Sequence, residues 1–144
     1  MTAGTICSRV VATASPTESI RTAARRMAEH DVGTLVVLDG ASRKPAGVVT
    51  DRDVAIRGVA GGLDVESTGV AEVMTSPARS VDEGTAIEDA IAEMARAGIR
   101  RLIVTGPQQR LLGILSLDDI LEQLAGTTEG IGRILQKQRP SVPV

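Results

Sequence analysis

The sequence contains no phenylalanine, tyrosine or tryptophan among its 144 residues. Without aromatic rings there is no stacking platform for single-stranded nucleic acid and no aromatic cage for a cationic group. Any nucleobase bound by this chain must therefore lie between aliphatic side chains. Nucleic-acid binding is disfavoured further by the charge balance, because 16 basic and 18 acidic residues leave a net charge of −2 and no strong positive field.

Cysteine, histidine and long apolar stretches are also scarce. Cys7 is the single cysteine, which excludes an internal disulfide and a cysteine-based zinc cluster. His30 is the single histidine, and complementing a helix dipole is a simpler role for it than catalysis, because no nucleophile pairs with it in the sequence. No stretch approaches the roughly 20 apolar residues that cross a bilayer, and no secretory leader is recognisable. We therefore expect a soluble, cytoplasmic protein that is not an enzyme and binds no membrane.

The most informative feature that the sequence does contain is an internal repeat. In each copy a helical stripe is followed by two β-like runs and then by a second helix start. The matching pairs are Ile20 and Ile87, Ala23 and Ala90, Met27 and Met94, Leu35 and Leu102, Val37 and Val104, Gly47 and Gly113, and Asp53 and Asp119. Each copy is predicted to be a β-α-β-β-α unit of the α+β class, too small to bury both faces of its sheet alone. We expect the two copies to pack through their sheets as a pseudo-two-fold pair.

Helix-start and helix-stop residues predict the boundaries of the two copies. The stretch Ser15-Pro16-Thr17-Glu18 has the form of a capping box with proline at the first helical position, so the first helix is predicted to begin near Pro16. The later helices are predicted to begin at Thr50 and Ser116 and to stop near Gly61-Gly62 and Gly126. These signals divide the chain into a first repeat over 1–62, a linker over 63–73, a second repeat over 74–126 and a tail over 127–144 with a short helix.

One motif closes each copy: a glycine, two apolar residues, a hydroxyl residue and, three positions after the hydroxyl, an aspartate. It occurs as Gly47-Val48-Val49-Thr50-Asp51-Arg52-Asp53 and as Gly113-Ile114-Leu115-Ser116-Leu117-Asp118-Asp119. Tandem β-α-β-β-α units that end in this way resemble the cystathionine-β-synthase (CBS) domain family, over about residues 6 to 125, and especially its small stand-alone bacterial members. The resemblance implies a regulatory module that senses AMP, ADP, ATP, S-adenosylmethionine or an NAD-type ligand in clefts between the repeats.

The hydroxyl and aspartate of this motif have a structural and a binding interpretation. As structure alone, a hydroxyl at the N-cap and a carboxylate three residues later form a capping box. As a binding element, the carboxylate accepts hydrogen bonds from ribose hydroxyls, while the hydroxyl and free helix N–H groups contact a phosphate. Two copies directly after glycine-led strands favour binding, and the resemblance assigns that role to Thr50, Asp53, Ser116 and Asp119.

The resemblance implies further ligand contacts at a strand entry and in the walls of the two clefts. Arg100 and Arg101 stand where the family often places a basic residue that reaches phosphate, although two solvated arginines at a strand edge are the alternative. Repeat 1 has Gly33 and Thr34 there, so we expect the Ser116 and Asp119 cleft to suit a phosphorylated ligand better. The implied base contacts are Ile6, Val11 and Val32 in the Asp119 cleft, and Met74, Pro77 and Ile99 in the Asp53 cleft.

Partners and metals follow from the same resemblance. The family associates into disc-like homodimers, and the stripes of Ile20 with Met27 and of Ile87 with Met94 are expected to supply the apolar helix surface for this. No cofactor is expected beyond Mg²⁺ that accompanies a bound nucleotide, because acidic residues in a helix's first turn are explained by the dipole. The alternative function is a ligand-free dimeric interaction scaffold. The sequence does not distinguish the adenosyl ligands, the number of occupied clefts or the regulated protein.

Overall fold

The computed structural model describes residues 1–138, which form two three-stranded sheets flanked by helices. The first sheet contains β1 (Thr13–Ala14), β2 (Thr34–Asp39) and β3 (Lys44–Thr50), and the second contains β4 (Ser80–Asp82), β5 (Arg101–Thr105) and β6 (Leu111–Ser116). In each sheet the first pair is parallel and the second antiparallel. A helix crosses over between the parallel strands and a short connection joins the antiparallel ones, as these pairings require. The predicted tandem α+β units are confirmed.

The helices follow the same order in both halves. They are α1 (Ala3–Ile6), α2 (Ile20–His30), α3 (Asp51–Asp53) continuing as a π-helix over Val54–Val59, a 3₁₀ turn over Val70–Glu72, α4 (Ile87–Ala97), a 3₁₀ turn over Pro107–Gln109 and α5 (Leu117–Gln138). The predicted stop near Gly61-Gly62 is confirmed, and Gly62 adopts a φ of 75° there, a conformation that glycine favours. Within residues 1–138 no helix is both long and apolar enough to span a membrane.

The predicted start of the first long helix near Pro16 was wrong. Helix α2 begins at Ile20 because Ser19 is its N-cap and accepts a hydrogen bond from the N–H of Thr22 at 3.1 Å. The capping-box residues upstream close a turn instead, in which the Glu18 carboxylate accepts from the N–H of Ser15 at 2.7 Å. Two serines compete for the same role, and the one next to the apolar stripe caps the helix.

The predicted helix stop at Gly126 was also wrong, because α5 continues unbroken to Gln138. A side chain at Gly126 would meet no atom within 4 Å, so this glycine lies on an open face of the helix. Glycine inside a helix costs about 1 kcal/mol relative to alanine but does not by itself end the helix. The predicted tail helix is thus the end of α5, and residues 139–144 lie outside the described part of the chain.

Each repeat is completed by a segment from the other side of the sequence. The first core packs Ile20 and Leu35 with Val70 and Val73, which precede β4 in the chain. The second core packs Met94 and Leu102 with Ala3 and Cys7 from the start of the chain. The segment 1–8 therefore packs on the second repeat through Ala3 and Cys7, although it precedes the first repeat in the sequence. The repeat boundaries that the sequence predicts, at residues 62 and 74, stay a prediction.

The helical stripes that we expected at a dimer surface are inside the protein. Ile20, Met27, Ile87 and Met94 are between 0% and 7% exposed. They cover the sheet of their own repeat, because the apolar face of an amphipathic helix is the face that seals the core. The prediction that these stripes supply a dimer contact was therefore wrong.

The segments around Ser8 and Thr75 explain why each motif begins with a glycine. Ser8 forms an antiparallel bridge to Ile114, and Thr75 forms the corresponding bridge to Val48. A Cβ at Gly113 would lie 2.5 Å from the carbonyl oxygen of Ser8, and a Cβ at Gly47 would lie 2.6 Å from that of Thr75. Only glycine permits backbones to approach this closely. The motif glycines thus allow the segments around Ser8 and Thr75 to pair closely with β6 and β3.

Candidate ligand-binding clefts

A cleft of about 940 Å³ lies between the two repeats. Thr34, Val48 and Thr50 of the first sheet line one side, and the apolar residues Ile103 and Ile114 of the second sheet line the other. The segment from Thr75 to Ser80 and the strand entry from Ile99 to Leu102 complete the wall. We call this the Thr50 cleft. An aliphatic floor with polar groups placed around it is typical of a small-molecule site.

The Thr50 motif forms the capping box at the start of α3. The hydroxyl of Thr50 accepts from the N–H of Asp53 at 3.1 Å, and Oδ2 of Asp53 accepts from the N–H of Thr50 at 3.0 Å. The structural interpretation of the motif is therefore confirmed in this repeat. Thr50 lines the cleft, whereas Asp53 does not and has its Oδ1 3.8 Å from Nε of Arg57. The ribose contact that the resemblance implies for Asp53 stays a prediction.

The Ser116 motif forms the same box at the start of α5, with one additional bond. Oδ2 of Asp119 accepts from the N–H of Ser116 at 2.8 Å, and the N–H of Asp119 donates to Ser116 Oγ at 3.1 Å. Ser116 Oγ also donates to that carboxylate at 2.7 Å. This bond occupies the only hydroxyl hydrogen of Ser116. Thr50 makes no side-chain bond of this kind to Asp53 within residues 1–138. Its hydroxyl is therefore available to donate into the cleft.

Three arginines line the Thr50 cleft. Arg79 pairs with Glu93 at 3.5 Å, which pairs with Arg96 as well, and Arg100 lies 3.6 Å from Asp118. Arg101 forms no ion pair within the part of the chain that the structure describes. The cleft wall therefore carries an excess of positive charge. Arg79, which directly precedes β4, was not among the ligand contacts predicted from the sequence.

The arginines therefore lie in the cleft opposite to the one expected. Arg101 stands opposite Ser116 in the pairing of β5 with β6, but it lines the cleft that contains Thr50. Arg100 lines the same cleft. The expectation that these arginines serve the Ser116 and Asp119 cleft does not match this geometry. Since the two sheets face each other, a strand entry of one repeat reaches across to the motif of the other.

A second concavity, of about 650 Å³, lies against the first repeat. It is lined by Val11 and Val32 and by Arg26 and His30 of α2. We call it the Val11 pocket. Ser116 and Asp119 do not line it. Of the other predicted base contacts, Pro77 and Ile99 line the Thr50 cleft, while Ile6 packs on the second core and Met74 on the first.

A salt bridge neutralises the arginine of the Val11 pocket. Arg26 donates to both carboxylate oxygens of Glu18, at 2.5 and 2.8 Å, and to the carbonyl oxygen of Thr13 at 2.8 Å. Burial alone would raise the pKa of Glu18, but the hydrogen bonds from Arg26 and from the Ser15 N–H outweigh it and lower that pKa below its ordinary value of 4.5. Arg26 therefore already donates its hydrogen bonds to Glu18 and Thr13, which makes it a poor phosphate ligand.

We expect Glu18→Gln to destabilise the fold by about 1.5–3 kcal/mol at pH 7, since hydrogen bonds to a charged group contribute about this much. The folded-state pKa of Glu18 lies below the unfolded value of 4.5, so its stabilisation is present above pH 4.5 and is lost as the pH falls through the folded pKa. The gap in melting temperature between variant and parent should accordingly narrow below pH 4. Circular dichroism measures it, with exposed Glu122→Gln as control. A gap independent of pH would contradict this assignment.

Two units of the same β-α-β-β-α order, packed sheet to sheet around a cleft, define a tandem-repeat α+β protein. The family model described as CBS domain matches the chain twice, at residues 3–58 and 70–126. The chain therefore belongs to the CBS-domain family, as the repeated motif indicated.

Individual relatives agree with this assignment. Uncharacterized protein MK0525 of Methanopyrus kandleri is 33% identical over 119 residues, which are 83% of this chain and 60% of that protein. CBS domain-containing protein YhcV of Bacillus subtilis is 39% identical over 121 residues, which are 83% of this chain and 84% of YhcV. The solved structure of CBS domain protein PAE2072 from Pyrobaculum aerophilum complexed with AMP matches with a TM-score of 0.75 and 28% identity, over 88% of this chain and 99% of that one.

Proposed function

We propose that this chain is a regulatory module that binds a phosphorylated adenosine compound in the Thr50 cleft and catalyses no reaction. The observation that carries the proposal is a cleft that both repeats line. It has an aliphatic floor, the Thr50 hydroxyl is available to donate, and Arg101 has no ion-pair partner within residues 1–138. The similarity to PAE2072, whose structure contains AMP, supports it. AMP, ADP and ATP are all compatible with this lining.

The cleft offers separate surroundings for the parts of such a ligand. Val48, Ile103 and Ile114 provide the aliphatic surfaces between which a nucleobase lies in a protein without aromatic residues. Thr50 and Arg101 provide a hydroxyl and a guanidinium for phosphate oxygens, and charge-assisted bonds of this kind are among the strongest in proteins. Asp53 holds the Thr50 turn in place, because its carboxylate accepts from the Thr50 N–H. Mg²⁺ enters this proposal only with the phosphates of a nucleotide.

The lining of the cleft supports binding rather than catalysis. Among residues 1–138, Glu93 is the one carboxylate that lines the cleft, and it is paired with Arg79 and Arg96. No histidine, cysteine or lysine lines it within residues 1–138. The residues that the structure describes in the cleft therefore do not combine a nucleophile with a base and an orienting group. Because a ligand would contact both repeats, we propose that occupancy stabilises the pair and changes the angle between the repeats.

The test is the melting temperature of the protein with and without ligand, followed by circular dichroism because the chain has no tyrosine or tryptophan. At a ligand concentration about 100 times the dissociation constant, one site adds about 2.7 kcal/mol of stability. AMP and ATP should raise the melting temperature more than adenosine does, and chromatography should recover them unchanged. If no adenosyl compound at millimolar concentration raises it, the ligand-free scaffold is the better function. Recovery of a hydrolysed nucleotide would contradict the absence of catalysis.

A further inference from the structure

Helix α5 carries an exposed apolar stripe beyond the second repeat. Leu121, Leu124, Ile131 and Leu135 are 52%, 51%, 55% and 60% exposed. With Thr128 between them, these residues follow the alternating three- and four-residue spacing of a coiled-coil seam. We call the five residues the α5 seam. Such a narrow seam fits another helix with the same spacing better than it fits a flat surface.

No other segment within residues 1–138 covers the seam. Ile120, 2% exposed, is the last buried residue of α5 up to residue 136. The elements that α5 contacts most are β6 and α1. The part that continues contains Gly126, Gly130 and Gly132, each of which lowers helix stability by about 1 kcal/mol relative to alanine. Isolated helices of fewer than about 12–15 residues are marginal in water. The part of α5 that follows Ile120 therefore needs a partner to stay helical.

The hydroxyl groups in the seam and directly beside it allow the seam to be buried against a copy of itself. The hydroxyl of Thr128 donates to the carbonyl oxygen of Leu124 at 3.0 Å, and that of Thr127 donates to the carbonyl oxygen of Gln123 at 3.0 Å. Neither hydroxyl would be left without a hydrogen bond inside an interface, so the penalty for burying an unsatisfied group does not arise.

The charges on α5 also favour a second copy of this chain over other molecules as the partner of the seam. The positions beside the seam are uncharged, namely Ala125, Thr127, Gly132 and Ile134, so two identical seams meet without like charges between them. Glu122, Glu129 and Arg133 lie away from the seam and leave the polar face without the basic excess of a membrane-surface helix. Nothing on the flanks selects a partner of opposite charge.

We infer that the α5 seam binds the α5 seam of a second copy of this chain, with the two helices antiparallel around a two-fold axis near Thr128. In this arrangement Leu121 meets Leu135 of the second copy, and Leu124 meets its Ile131. The helix dipoles then oppose each other favourably, and the two pairs of repeats lie at opposite ends of the helix pair. The inference does not depend on ligand binding in the Thr50 cleft.

The first test compares molar masses by light scattering. The parent protein should have at least twice the chain mass of 15.0 kDa, and Leu124→Glu/Ile131→Glu should halve the parent value. Gln123→Glu/Gln136→Glu adds the same charge away from the seam and should keep the parent mass. Equal masses for the parent and the seam variant overturn the inference. So does a monomeric parent chain, whether it is free or bound to anionic vesicles or another protein.

The second test uses disulfide formation to locate the contact. Cys7, the single native cysteine, is 8% exposed, so an introduced cysteine is the reactive one. Thr128→Cys should form a covalent dimer readily, because the two copies of this position meet on the axis. Gly126→Cys lies close by in the sequence but faces open space, and Leu124→Cys lies off the axis, so both should react only slowly. Equal yields from Thr128→Cys and Gly126→Cys overturn the inference, and a high yield from Leu124→Cys overturns the antiparallel arrangement.

Discussion

Arg101→Ala is expected to weaken AMP binding roughly 10- to 150-fold while hardly changing the melting temperature of the ligand-free protein. The side chain is exposed on the wall of the Thr50 cleft and has no ion-pair partner within residues 1–138. Its hydrogen bonds to a phosphate should contribute about 1.5–3 kcal/mol, and 1.4 kcal/mol corresponds to a tenfold change. Adenosine has no phosphate and should bind equally to both proteins. Isothermal titration calorimetry measures these affinities.

Three further variants make the result specific to this cleft. Arg110→Ala removes an exposed arginine that does not line the cleft and should leave AMP affinity unchanged. Thr50→Ala should weaken AMP binding more than Ser116→Ala does. If Ser116→Ala weakened AMP binding more than Thr50→Ala, the ligand would bind in the cleft of Ser116 and Asp119, which is the cleft that the sequence predicts. An equal loss of AMP and adenosine affinity in Arg101→Ala would contradict a phosphate contact.

Gly113→Ala and Gly47→Ala should each destabilise the protein by about 2–3 kcal/mol, the upper part of the range for overpacking. The new Cβ would lie 2.5 Å from the Ser8 carbonyl oxygen in the first variant and 2.6 Å from that of Thr75 in the second. The Ser8 carbonyl cannot move freely, because it accepts from the Ile114 N–H at 3.0 Å. For a chain of this size we expect the melting temperature to fall by roughly 5–12 °C, measured by circular dichroism.

Gly126→Ala is the matched control for these substitutions. It also adds one methyl group to a glycine, but nothing lies within 4 Å of the new Cβ, and the position is inside a helix. Stability should rise by about 0.5–1 kcal/mol, the difference in helix propensity between alanine and glycine. If Gly113→Ala and Gly126→Ala changed the melting temperature in the same direction, the close approach at Gly113 would not be what requires glycine.

Local interactions made much of the fold predictable. The strands β2, β3, β5 and β6 were predicted because short apolar runs between turn residues are properties of a few neighbouring positions. The helix starts at Thr50 and Ser116 were predicted because a capping box joins residues three apart in the sequence. The start near Pro16 failed because Ser19 offers a competing cap, and the choice depends on which turn seals the sheet. The predicted helix stop at Gly126 was wrong because a glycine on an open helix face lowers the stability of the helix without ending it.

The candidate site was predicted only in part. Thr50, Pro77 and Ile99 were assigned to one cleft, and the structure brings them together there. Arg101 was assigned to the other cleft, and Arg79 was not considered. Which cleft a strand-entry side chain reaches depends on how the two sheets face each other. The spacing of residues within either repeat does not depend on that arrangement and therefore does not predict it.

The sequence by itself determined the repeat, the order of its strands and helices and the two caps, because these depend on periodicity and on contacts between residues close in the chain. The tertiary structure alone decided that residues 1–8 complete the second core and that Val70 and Val73 complete the first. It also decided that the stripes of α2 and α4 are buried while the stripe of α5 is exposed. All three stripes have helical spacing, and such spacing shows that a face is apolar without showing what covers it. The covering surface comes from segments distant in the sequence, whose packing depends on the global arrangement of the chain.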